Sequence, residues 1–120
     1  MPYVDGFIIP VPTLRKDEYR AHEAKWWPYF KDLGALSLIV TWGDDVPHGK
    51  HTDFYRAVDA QEGETVVLAW MTWPDKATRD AAYGKMMASD SDMGPMEMPF
   101  DGKRLIHGGF TPILIEGTLE

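Results

Sequence analysis

Apolar residues recur with a period of two in four places along the chain and with a period near 3.6 in two others. From Tyr3 to Val11 both parities are apolar, Phe7 and Ile9 opposing Val4 and Ile8, which predicts a strand covered on both faces. Pro10 and Pro12 cannot donate to a ladder and predict its end. Thr13 predicts the cap of a helix that begins at Leu14 or Arg15. Tyr19, His22, Trp26, Phe30 and Leu33 then fall on one helical face, with a kink or break near Trp27 because Pro28 removes the bond to the Ala24 carbonyl. Gly34 predicts the stop. Ala35 to Trp42 reads as a second strand, and Thr65 to Trp73, rich in Val, Trp and Thr, as the strongest one. Between them lies a long connection in which Thr52 to Val58 predicts a short extra strand and Glu62-Gly63-Glu64 a turn. Asp75 caps a helix from Lys76 to about Ala88, Ser89 to Pro99 reads as a loop, and Gly108 to Glu116 as the last strand, with Pro112 marking an edge or a bulge.

The resulting order is strand, helix, strand, strand, helix, strand. It predicts an α+β domain over residues 1–120: a ferredoxin-like βαββαβ antiparallel sheet with two helices on one face. The open face of such a sheet should be polar. Here Val66, Leu68 and Trp70 lie on one face and Val67, Ala69 and Met71 on the other, so both faces need cover. Burying several such side chains at roughly 1.5–3 kcal/mol each outweighs a modest association cost. The pattern therefore predicts a homodimer packed sheet to sheet; the alternative is that the 43–64 connection folds over its own sheet.

Composition narrows the function by exclusion. A formal net charge of -7, with no stripe of Lys and Arg, argues against nucleic acid as a partner. The apolar runs fall well short of the roughly 20 residues of a membrane helix. Met1 to Asp5 has no secretory pattern, and the absence of cysteine fits a cytoplasmic protein without thiolate metal sites. No phosphate-binding glycine loop, serine elbow or zinc-protease motif is present.

Several segments together resemble the YbaA-like family of unknown function. They are Tyr3-Val4-Asp5-Gly6-Phe7 with Val11-Pro12, Gly34-Ala35-Leu36, Gly43-Asp44-Asp45-Val46, Gly63-Glu64-Thr65-Val66-Val67, Arg79-Asp80-Ala81, and Met98 to Arg104 with Gly108-Gly109-Phe110. The resemblance implies the dimeric α+β-barrel superfamily, which includes cofactor-free monooxygenases, isomerases and haem-degrading enzymes. It carries no catalytic residue over to this chain.

The candidate chemistry is therefore read from the residues. Asp5, inside an apolar strand, suits a general base, or a satisfied acceptor bound to backbone or to Arg104. Asp101-Gly102-Lys103-Arg104 forms a turn whose Lys103 or Arg104 suits a carboxylate or phenolate, or a salt bridge. His107 suits an acid or base, beside two glycines that permit positive φ or close approach of the backbone. Trp26, Trp27, Trp70 and Trp73 suit the wall of an aromatic site or a core, with Tyr83 and Phe100 beside them, and Met86, Met87, Met93, Met96 and Met98 suit a lid or a plug. Asp44, Asp45, His48, His51 and Asp53 are metal-ligand types at a spacing that matches no metal motif, so no metal and no cofactor are expected.

The leading expectation is a homodimer that binds a small apolar or aromatic molecule. Asp5, Arg104 and His107 would be its catalytic groups if it is a cofactor-free oxygenase or isomerase-like enzyme. Trp26, Trp70, Tyr83, Phe100, Asp101 and Lys103 would be its binding groups. The alternative is a non-catalytic dimer acting through a protein partner.

Overall fold

The structure, a computed structural model, describes residues 2–88 and 98–117. Its elements in chain order are strand β1 (Tyr3–Pro12), a single 3-10 turn (Thr13–Arg15), helix α1 (Lys16–Asp32), strand β2 (Ser37–Trp42), the short helix α2 (Phe54–Ala57), strand β3 (Glu64–Trp73), helix α3 (Lys76–Ala88) and strand β4 (Ile106–Phe110). The four strands form one sheet in the order β2-β3-β1-β4, and every adjacent pair is antiparallel. The class is α+β.

The register sorts the side chains. Tyr3, Asp5, Phe7, Ile9 and Val11 stand opposite Trp73, Met71, Ala69, Val67 and Thr65, all on one face. α1 covers this face through Tyr19, packed with Ile9, Val11, Val67 and Ala69. α3 covers it through Ala82 and Tyr83, packed with Tyr3, Met71 and Trp73. The main core thus lies between the helices and this face.

Several local expectations are corrected. β1 runs through Pro10 but ends at Pro12, the second proline of the predicted stop. Thr13 donates to the Gly63 carbonyl on the β3 side, so Pro10 and Pro12, one step out of phase, point away from β3. On that side the β4 ladder stops at Ile8, and no bond is lost. α1 is not broken at Pro28: Ala24 is exposed, so its freed carbonyl faces water. Thr13 does not cap α1; its hydroxyl bonds the Thr65 hydroxyl at 2.8 Å. Residues 54–57 are helical rather than a strand, because Asp53 caps them by accepting from the Arg56 amide at 2.8 Å. The last strand is β4 alone, over 106–110, and the stretch from Thr111 to Glu116 pairs with none of the described strands. Asp75 accepts from the Thr78 amide at 2.7 Å, the cap that its position predicts, and Gly34 ends α1 at a φ of +113°.

The second face of the sheet is divided. At one end Pro10 and Val66 are cross-strand partners and both are buried. α2 reaches β1, and Val58 beside it is buried while belonging to neither helix-side cluster, so the 43–63 connection covers this end. At the other end Leu68, Ile106 and Phe110 stay exposed, and the Phe110 ring lies over the Gly6–Gly108 pair. Beyond it Ile113, 99% exposed, begins an apolar run with Leu114 and Ile115. Among the described residues no helix is long and apolar enough to cross a membrane.

Candidate functional site

Asp5 is 1% exposed, on the face that α3 covers. Its carboxylate accepts from Trp73 Nε1 at 2.9 Å, Tyr83 OH at 2.9 Å, and Arg79 Nε and Nη2 at 3.1 and 2.9 Å. Both nitrogens reach Oδ1, and Nε also lies 3.3 Å from Oδ2, so one edge of the guanidinium faces the buried carboxylate. Arg79 in turn lies 4.2 Å from the Tyr83 ring centroid and 5.4 Å from that of Tyr3. Its bond to Asp5 holds its proton more firmly than usual. Burial, then the neighbouring Asp5 charge, pushes the Tyr83 hydroxyl up from its ordinary pKa. Every lone-pair direction of Asp5 is occupied by a fixed donor, so the cluster is a joint between β1, β3 and α3 with no vacancy for a substrate proton.

Arg104 is not the partner of Asp5. It forms a fork with Glu64, both contacts at 2.6 Å, and also bonds Asp101 Oδ2 at 3.0 Å and the Asp59 carbonyl at 2.8 Å. The fork holds the Glu64 carboxyl below its ordinary pKa, and the bond from Arg104 does the same to Asp101. The Lys103 amide donates to Asp101 Oδ1, completing the turn that leads into β4. His107 is exposed, its ring 6.2 Å from that of Phe7, its cross-strand neighbour. Neither glycine after it has positive φ; Gly109 serves close approach, since a Cβ there would lie 2.2 Å from the Tyr3 hydroxyl.

A different surface is unsaturated. Along α1, Arg15, Glu18, Ala21, His22, Lys25 and Trp26 face Met98 and Pro99 across a groove of about 520 Å³. Trp26 is buried and edge-on to Tyr29 at 5.6 Å, which fixes it as a wall. Phe100 sits edge-on to Tyr19 at 5.7 Å and docks the far side of the groove on α1. Both ring nitrogens of His22 and the Tyr19 hydroxyl are buried without a hydrogen-bond partner among the described residues. The nearest charged group to the imidazole is Glu23, at 3.6 Å, beyond hydrogen-bond range. Burial raises the Glu23 carboxyl above its ordinary pKa, with His22 and Tyr19 opposing the shift, and burial raises the Tyr19 hydroxyl as well. A buried polar atom left unbonded costs on the order of 1–3 kcal/mol, and Glu23, next to both His22 and Tyr19, is the acceptor that approaches them. Glu23 itself lines a second groove, of about 540 Å³, between α1 and the β2 edge.

The predicted site residues therefore do not converge. Asp5 and Tyr83 belong to the closed cluster. Asp101, Lys103 and Arg104 make the turn. Trp70 lies on the second sheet face, opposite Gly6. Trp26 and Phe100 flank the α1 groove. Of the methionines, Met98 lines the groove, while Met93 and Met96, like residues 89–97 of the predicted loop, lie outside the described residues. In the 43–53 loop Asp53 is spent on the Arg56 and Gly49 amides and His48 stacks on Tyr55 at 4.3 Å. Among the described residues no three His, Asp or Glu side chains gather as a metal site would need. Sequence reasoning placed His22 among core positions and missed Arg79 as the partner of Asp5. The available signal for His22 was an imidazole amid Tyr, Trp and Phe on one helical face.

The family described as "Protein of unknown function (DUF1428)" matches residues 2–102 of the chain. The "Uncharacterized protein YbaA" of Escherichia coli (strain K12) is 52% identical over 118 residues, which cover 97% of this chain and 100% of that protein. The protein of the same description from Shigella flexneri is similar to the same extent: 52% identity, over 97% of this chain and 100% of the relative.

Proposed function

The chain belongs to the DUF1428 family of proteins of unknown function, and we propose that it binds a small molecule with an apolar or aromatic body in the groove beside α1. The observation that carries this reading is the His22 imidazole, both of whose nitrogens are buried without a partner among the described residues on the wall of a groove of about 520 Å³. That volume falls in the range of small-molecule sites, roughly 300–1,000 Å³, and Trp26, Met98 and Pro99 supply an apolar wall beside the polar Arg15, Glu18, His22 and Lys25. The Asp5 cluster serves as the frame that seats α3, and the Arg104 fork as the clamp that fixes the turn ahead of β4. Neither presents a free group to a substrate.

The assembly that presents this groove is a homodimer. The sheet order β2-β3-β1-β4, with α1 and α3 on one face, supports a ferredoxin-like sheet of the dimeric α+β-barrel type. Leu68, Ile106 and Phe110, exposed on the other face, supply the apolar contact for a second copy, and the 111–116 stretch extends it.

Filling the groove tests the binding reading. Ala21 is exposed and lines it, so Ala21→Trp adds bulk where nothing must move inside the core. The variant is expected to keep its unfolding temperature and to lose the saturation-transfer NMR signal of 2-phenylethanol, a neutral aromatic probe, that the native protein gives. A signal of equal strength from Ala21→Trp places the ligand elsewhere and removes the groove from the account.

A further inference from the structure

The charges around the α1 groove are lopsided. Arg15 is matched with Glu18 through its Nε and Nη2, a pairing that lowers the carboxyl and raises the guanidinium. Glu23 opens onto the other groove, and burial favours its neutral form. Lys25, three residues from His22 and on the same helical face, makes no ion pair or hydrogen bond among the described residues. Among the described residues Lys25 is therefore a groove-rim cation without a partner, on a chain of formal net charge -7. Distant acidic groups are screened over about 8–10 Å at physiological salt, so this local ammonium decides what the groove attracts.

His22 adds a second donor. Its side chain is 13% exposed while both nitrogens are buried, so what it shows the groove is carbon. A half-turn of the ring exchanges each nitrogen with a carbon, so the imidazole has a second way to place its two nitrogens at this wall. Trp26, Met98 and Pro99 offer an apolar wall wide enough for a single ring.

We infer that the molecule held here is an aromatic carboxylate, its ring against Trp26 and Pro99 and its carboxylate between the Lys25 ammonium and the His22 imidazole. This rests on the reading of the groove as the ligand site and adds the charge of the ligand to it. The carboxylate gains a charge-assisted contact that a neutral relative of the same shape lacks, a difference of about tenfold in affinity.

Phenylacetate and 2-phenylethanol share a ring and a two-carbon reach and differ in charge. NMR titration of the native protein is expected to give a dissociation constant about tenfold lower for phenylacetate. Lys25→Met, which keeps most of the stem on an exposed position, is expected to erase that preference and leave the alcohol unchanged; Ala21→Trp is expected to block both. Equal affinities for the two probes, both blocked by Ala21→Trp, overturn the carboxylate and leave the groove as the site. A preference for phenylacetate that survives Lys25→Met overturns the placement of the carboxylate. Binding of neither probe to the native protein removes the groove and the inference together.

Discussion

Replacing Arg79 with methionine is expected to lower the free energy of unfolding by about 3–5 kcal/mol, the usual cost of removing one partner from a buried ion pair. Asp5 is 1% exposed and would keep only the Trp73 and Tyr83 donors, with no countercharge. A domain of this size holds on the order of 5–15 kcal/mol in all, so the loss is a large share of its stability. Asp5→Asn in the Arg79→Met background is expected to recover part of it, since the amide carries no charge to strand. Chemical denaturation of the single and double variants measures both effects. A loss below about 1 kcal/mol for Arg79→Met, with no recovery in the double variant, would show that the cluster is not the frame described here.

The second large effect concerns assembly. Leu68 is 42% exposed in the single copy, on the sheet face left bare between the 43–63 connection and Phe110. Leu68→Glu is expected to raise the dimer dissociation constant by two or more orders of magnitude, because a carboxylate buried between two sheets has no cation to meet on that face. The fold of each copy should survive, since the residue faces away from the α1 and α3 core. Sedimentation of native and variant proteins across a wide concentration range measures the change. A native protein that sediments as a single copy at high concentration, and a variant no different from it, would leave the exposed face without the role assigned to it.

The helices and strands were legible in the sequence where burial imposes a period. Tyr19, Phe30 and Leu33 face the sheet as their spacing requires, and Val67, Ala69 and Met71 turn toward the helices while Val66, Leu68 and Trp70 turn away. The Asp75 cap and the Gly34 stop depend on single residues and their neighbours, and both were readable. What failed depended on partners distant in sequence. Pro10 does not stop β1, because the β4 ladder has already ended at Ile8 and its missing N–H costs no bond; β1 ends only at Pro12. Residues 54–57 alternate enough to read as a strand, yet the Asp53 cap turns them into a helix. Gly108 to Glu116 has the apolar content of a strand, but the β1 ladder ends at Phe110.

The candidate site was the least legible part. Asp5 drew attention rightly, as a carboxylate in an apolar strand. Its partners come from residues 68 to 78 positions away, which a single sequence does not pair. Arg104 looked like free chemistry because two of its acceptors, Glu64 and the Asp59 carbonyl, lie 40 or more residues earlier in the chain. His22 was hidden for the opposite reason. Its periodic position makes it a core residue, and only the three-dimensional arrangement shows that the described residues give its nitrogens no hydrogen bond.

The account divides the polar groups in two: a saturated Asp5 cluster that holds the fold and an unsaturated α1 groove that binds. Chemical-shift mapping of the native protein during titration with phenylacetate tests that division most directly, because Trp26 and Trp73 report on the two places separately. The predicted result is movement of the Trp26 indole and of the amides from Glu18 to Trp26, with the Trp73 indole and the Asp5 amide still. Movement centred on Trp73, Asp5 and Arg79, with the groove silent, would contradict it.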